Sequence, residues 1–270
     1  MESVPIFDWL EIETQGDCNR RCNTCLRQSY PNKENPSHQG RFPTRWKVGE
    51  GKKMEEITFK SIINQAVDMG FTGTVNLQHY NEPLLDDRLA KLAAYVKTKQ
   101  EVKDVRAFTN GDLFDEVRAK ELDGLFDIFH IALYMPEEKQ KRREKWLRGL
   151  FKKTHLEFTG GQHRASHFSP PEAWEGVYNV AAPAKDLEEL IKIQREKPCF
   201  HNNHMLIVAY DGTMLHCCED YVGHFGLGNV NSMSLRDIWE SQKHKQLVKD
   251  LSCSGGRKKH HYCNICPRET

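Results

Sequence analysis

Through the first 160 residues, strand-like and helix-like segments alternate, and no other property restricts the fold of this chain so strongly. Residues 6–14, 72–77, 105–109, 126–134 and a short stretch near 155–158 read as strands. Between them, Phe59, Ile62, Ile63, Ala66 and Val67 recur at helical spacing, with Thr58 as a candidate cap and Gly70 as the stop. Leu85, Leu89, Leu92 and Val96 mark a second amphipathic helix, residues 113–122 a third, and the basic segment after Pro136 a fourth. Repeated β-α units imply a parallel sheet with helices outside it. Two stretches break the rhythm. Residues 28–53 and 159–183 are rich in loop formers, and the second bridges two parts of the chain.

Beyond Pro198 the pattern changes. Residues 205–210 and 214–217 flank Asp211-Gly212-Thr213, a β-hairpin signal. Ser234-Leu-Arg-Asp237 has the form of a capping box before a helix carrying Leu235, Ile238, Trp239, Leu247, Val248 and Leu251 on one side. The expected organisation is residues 1–160 as the β-α domain, 161–198 as a bridge and 199–270 as a small hairpin-plus-helix module. A chain of 270 residues can bury a core of that size. A net charge of +1 gives no global pull toward nucleic acid or an acidic membrane. With no bilayer-length apolar stretch and no signal peptide before Ile6, a soluble cytoplasmic protein is expected.

Nine cysteines are many for such a protein. In a reducing compartment, clustered cysteines bind metal more often than they form disulfides. Cys18, Cys22 and Cys25 form a C-x₃-C-x₂-C run just after the first strand. A four-iron cluster held wholly by protein takes four cysteines, so three thiolates leave one iron open to another ligand. An open, redox-active iron suggests catalysis. Six further cysteines follow: Cys199, Cys217, Cys218, Cys253, Cys263 and Cys266. Gly212 turns the hairpin, so Cys217 can be presented near Cys199, and Cys263-Asn-Ile-Cys266 is a C-x₂-C pair. Four thiolates could close a cluster or bind zinc, and the spacing by itself does not choose.

The triplet resembles that of the radical S-adenosylmethionine (SAM) superfamily, in which the amino acid end of SAM chelates the open iron. The C-terminal cysteines resemble the SPASM domain of that superfamily, in the truncated form called twitch. The resemblance implies a partial (β/α)6 TIM-like barrel with a small α+β module. It also implies two 4Fe–4S clusters, one on Cys18, Cys22 and Cys25 that binds SAM, and one auxiliary on Cys199, Cys217, Cys263 and Cys266. Tyr80-x-Glu82-Pro-Leu-Leu and Thr109-Asn110-Gly-Asp match segments that hold SAM in this family. Glu82 would take the ammonium group with Tyr80 beside it, and Thr109 and Asn110 would face the ribose. Thr24 stands where the family often has an aromatic residue near adenine.

Within the superfamily, the chain resembles the twitch-domain dehydrogenase of butirosin biosynthesis, which oxidises an amino-cyclitol alcohol to a ketone. Thr159 replaces an arginine there, with His163 or Arg164 as substitutes. The implied chemistry is SAM cleavage to a 5′-deoxyadenosyl radical, abstraction of a substrate hydrogen atom, and oxidation of a small sugar- or cyclitol-like molecule. The auxiliary cluster would accept the electron, and a flavodoxin or ferredoxin would donate one to the first cluster. Other readings are an epimerase using Cys218 or Cys253 as hydrogen donor, a peptide-modifying enzyme, and a zinc-binding interaction protein. The basic run between Glu137 and Lys153, eight basic and three acidic residues, reads as a solvated helix face rather than a nucleic-acid site.

Overall fold

The structure is a computed structural model and describes residues 4–20, 52–160, 189, 191–220, 223 and 225–266. Five β-α-type strands appear where hydrophobic periodicity placed them: β1 (Trp9–Ile12), β2 (Thr74–Asn76), β3 (Asp104–Thr109), β4 (Ile128–Leu133) and β5 (His155–Gly160). The helices between them are α1 (Glu56–Asp68), α2 (Leu89–Lys97), α3 (Glu116–Leu122) and α4 (Glu137–Leu150). The hairpin supplies β6 (Met205–Val208) and β7 (Met214–Leu215). Among the described residues these form one seven-stranded sheet in the order β5-β4-β3-β2-β1-β6-β7. Every neighbouring pair is parallel except β6 with β7.

One face of the sheet belongs to the helices. Leu10, Val75 and Val105 stand side by side across β1, β2 and β3 and are fully buried. They share a core with Phe59, Ile62, Ile63 and Ala66 of α1 and with Leu89, Leu92, Ala93 and Val96 of α2. The other face is polar. Glu11, Asn76 and Arg106 follow one another in register, and so do Phe108, His130 and Glu157 farther along. Period-two alternation in a strand puts the two sets on opposite faces.

Two local expectations need correcting. Helix α1 starts at Glu56 with Glu55 as its cap residue, so Thr58 lies inside the first turn. Its hydroxyl donates to Asn231 Oδ1 instead. The helix expected from Leu235 to Leu251 is two, α5 (Leu235–Trp239) and α6 (Gln242–Leu251). Ser241 causes the break, because its hydroxyl accepts from the His244 amide and caps α6. The hairpin adds to the same sheet, since β6 pairs with β1 over Trp9–Met205 to Ile12–Val208.

The C-terminal helices share the same core. Trp239 is 1% exposed, its ring lies 5.0 Å edge-on from Phe7, and its indole N–H donates to Pro5 O at 3.1 Å.

Candidate active site and cluster-binding region

Strands β1, β2 and β3 lie side by side, and the segments that close β2 and β3 meet at one carboxylate. Glu82, 2% exposed, accepts from the Thr109 hydroxyl at 2.6 Å, the Asn110 amide at 2.9 Å and the Leu84 amide at 3.1 Å. Pro83–Leu85 forms one 3₁₀ turn after it, capped by this side chain. Burial pushes the Glu82 carboxyl up to about 7, against the pull of the Asn110, Thr109 and Leu84 hydrogen bonds. A buried carboxylate held by three donors, with no counter-charge beside it among the described residues, suits a cationic ligand group such as an ammonium.

The expected site residues fall as follows. Glu82, Thr109 and Asn110 come into direct contact. Thr109 and Asn110 are also engaged elsewhere: the Thr109 hydroxyl accepts from the Gly111 amide, and Asn110 Nδ2 donates to Asn19 Oδ1. Tyr80 turns to the hairpin, where its hydroxyl donates to the Cys218 carbonyl at 2.9 Å. Of the triplet, Cys18 is described, and the Arg20 amide approaches its sulfur at 3.4 Å. Cys22 and Cys25 lie outside the described residues, as do Thr24, His163 and Arg164.

Asp112, not singled out from the sequence, anchors the start of the cysteine loop. Arg20 grips its carboxylate with Nε at 2.5 Å and Nη2 at 2.6 Å, and Asn19 Nδ2 adds a third bond at 3.0 Å. The Arg20 guanidinium lies 5.0 Å above the Tyr134 ring. Arg143 of α4 secures the turn from behind by donating to Gly111 O and Phe114 O. Gly111 needs its positive φ of 70°, and a Cβ there would meet Ile131 Cγ2 at 2.8 Å. Glu11 and Glu13 were also missed, although carboxylates alternating with Leu10 and Ile12 in a strand are a readable signal of a polar face. Glu13 accepts from the Tyr80 and Tyr210 amides, joining β2 to β6 through β1.

The second set of thiols gathers beyond the hairpin. Cys217, Cys263 and Cys266 line one cavity together with His216, Asp220 and Phe225. Burial raises the Cys217 thiol well above its usual range, and Cys218, Cys199, Cys263 and Cys266 push it the same way. Cys263 is raised likewise, by burial and then by Cys266 and Cys199. Among the described residues, no three metal-ligating side chains stand at distances that hold a single ion. The thiols are near enough to feel one another. A bound iron–sulfur core would remove their protons and stabilise the thiolates. Cys253 is exposed and its thiol donates to Lys249 O.

Residues 199–267 match the SPASM family, an iron–sulfur cluster-binding domain. The whole chain is similar to a curated relative, the S-adenosyl-L-methionine-dependent 2-deoxy-scyllo-inosamine dehydrogenase of Niallia circulans. The two are 23% identical over 97% of this chain and 93% of the relative. The C-terminal module expected from the sequence thus carries the SPASM match. Solved structures that bind AdoMet agree on the fold. BtrN in complex with AdoMet and 2-DOIA superposes with a TM-score of 0.67 at 21% identity, covering 96% of this chain and 92% of that one. Native anSMEcpe with bound AdoMet and Kp18Cys peptide gives 0.59 at 17% identity, covering 96% and 88%. The parallel α/β sheet expected from the sequence thus has the fold of these structures, and it is open among the described residues. Among the same residues, no helix is long and apolar enough to cross a membrane.

Proposed function

We propose that the chain is a radical SAM dehydrogenase that oxidises an alcohol carbon of a small sugar- or cyclitol-like molecule to a ketone. The observation that carries the reading is the link between its two halves. Tyr80, two residues before Glu82, is hydrogen-bonded to the Cys218 carbonyl beside the four SPASM thiols. An electron acceptor on those thiols would then stand next to a SAM pocket built around Glu82. The similarity to a SAM-dependent cyclitol dehydrogenase over 97% of the chain supports the same reaction class.

In this reading Cys18, Cys22 and Cys25 hold a SAM-binding 4Fe–4S cluster, and Cys199, Cys217, Cys263 and Cys266 hold an auxiliary one. When bound, these groups supply a 5′-deoxyadenosyl radical and an electron acceptor. The protein does the positioning. Glu82 takes the ammonium of SAM, Thr109 and the Asn110 amide fix the Glu82 carboxylate, and the Asn110 side chain with Tyr80 lines the pocket. Asp112 and Arg20 hold the first turn of the cysteine loop in place. The reading includes a flavodoxin- or ferredoxin-type donor, a cytoplasmic location, and the division at residues 160 and 198. The exposed position of Cys253 argues against it as a hydrogen donor for epimerisation.

Anaerobic reconstitution and turnover on amino-cyclitols and sugars in deuterated water tests this. We expect about eight irons per chain, falling to about four in Cys217→Ala. We also expect a product two mass units lighter than its substrate. Solvent deuterium at a carbon with no loss of mass would identify an epimerase, and zinc in place of iron would sink the radical reading.

A further inference from the structure

The polar face of the sheet holds a hydrogen-bonded unit that neither the SAM pocket nor the cluster thiols use. It consists of Glu11, Asn76, His79 and Asn81, each no more than 8% exposed. His79 Nδ1 donates to Glu11 Oε1. Glu11 Oε2 accepts from Asn76 Nδ2 at 2.9 Å and from the Trp9 indole N–H at 3.0 Å. Asn81 Oδ1 accepts from the His79 amide at 3.1 Å. Three buried atoms of this one unit have no partner among the described residues: His79 Nε2, Asn76 Oδ1 and Asn81 Nδ2. Buried polar atoms are nearly always paired, so three together in one unit ask for a ligand that supplies both donors and acceptors. A polyhydroxylated molecule does so, since each hydroxyl both gives and takes a hydrogen bond.

The pairing also sets the chemistry of the ring. A carboxylate on Nδ1 keeps the proton there and leaves the lone pair on Nε2, the arrangement of a proton acceptor. His79 lies three residues before Glu82 on the same loop. We propose that His79, oriented by Glu11, binds a substrate hydroxyl through Nε2 and accepts its proton as the alcohol becomes a ketone. This rests on the dehydrogenase reading. The balance is complete: the carbon-bound hydrogen leaves as an atom to the 5′-deoxyadenosyl radical, the hydroxyl proton goes to Nε2, and the remaining electron goes to an iron–sulfur cluster. One C–H and one O–H bond break, and the C–O bond becomes a double bond.

The test compares wild type, His79→Gln and Glu11→Gln holoenzymes on 2-deoxy-scyllo-inosamine deuterated at the oxidised carbon. In His79→Gln, deuterium should still reach 5′-deoxyadenosine, while ketone formed per 5′-deoxyadenosine falls by about 10²-fold or more. Glu11→Gln should fall less, because the imidazole remains. A merely structural defect lowers both products together, and an unchanged ratio in His79→Gln overturns the assignment. Calorimetric binding of the same cyclitol to the holoenzyme with SAM, without reductant, gives a readout free of turnover. His79→Ala should weaken it about tenfold, the loss of one good hydrogen bond to a buried group. Should the wild type bind the cyclitol but make no ketone, the dehydrogenase reading falls, and an unchanged Kd in His79→Ala removes the His79 contact as well.

Discussion

Glu82 shows how much a single buried carboxylate can demand. Its carboxyl titrates near 7, raised by burial, so in the ligand-free protein much of it is protonated at neutral pH and below. A cationic ligand needs the charged form. Affinity for SAM should therefore fall about tenfold per pH unit below about 7 and level off above it. Equilibrium binding across pH 5.5–8.5 checks this, and Glu82→Gln should bind weakly at every pH. The sign for stability is opposite. Because the folded-state pKa exceeds the ordinary value, the ligand-free fold loses up to a few kcal/mol as pH rises from about 4.5 through 7. SAM should restore that loss. Asp112 makes a separate demand. Its three bonds to Asn19 and Arg20 tie the start of the cysteine loop to the turn after β3, so Asp112→Ala should halve the iron content and remove SAM cleavage while the SPASM cluster stays. Iron analysis and EPR of the reduced protein would show it, and full iron content would refute the anchoring role.

At the scale of elements, the hairpin carries the most weight. It brings Cys217 toward Cys199 only if the chain reverses tightly at Gly212, which has a φ of 86°. A Cβ there would meet Asn231 Nδ2 at 2.4 Å and Asn229 Oδ1 at 2.7 Å, two side chains that brace the turn by donating to the Asp211 carbonyl. Gly212→Ala should cost about 1–2 kcal/mol from the left-handed backbone alone. It should also impair loading of the SPASM cluster before that of the first, as denaturant melts and iron counts would register. Residues 205–217 announced this turn plainly. What they did not announce was the neighbour, since β6 completes its hydrogen bonds on β1 rather than on an element of its own module. Strand pairing between residues some 200 apart leaves no local trace; only packing selects it. The break between α5 and α6 at Ser241 escaped notice for a related reason, because a serine hydroxyl caps or back-bonds according to the turn around it.

For the molecule as a whole, contacts at one seam join the N-terminal part of the sheet to the C-terminal module. Phe7 and Trp239 join the N-terminal segment to α5, Glu13 accepts amides from both sides, and Tyr80 reaches the Cys218 carbonyl. Tyr80→Phe should cost about 0.5–1.5 kcal/mol of stability. Its informative effect is on coupling: SAM cleavage without substrate should persist while ketone yield per SAM declines, as parallel product assays would show. Equal loss of both would mean that Tyr80 serves the SAM pocket alone.

The sequence by itself determined the local features. Periodicity placed the parallel α/β sheet, cysteine spacing picked out two candidate ligand sets, and the loops at 80–83 and 109–112 offered the residues proposed here for SAM. These were readable because each depends on residues within a few positions of one another. Tertiary structure decided which residues meet. Glu11 finds His79, Asp112 finds Arg20, and Tyr80 finds Cys218 across separations of 68, 92 and 138 residues. Such pairs follow from strand order and register, which emerge only when the whole core is packed at once.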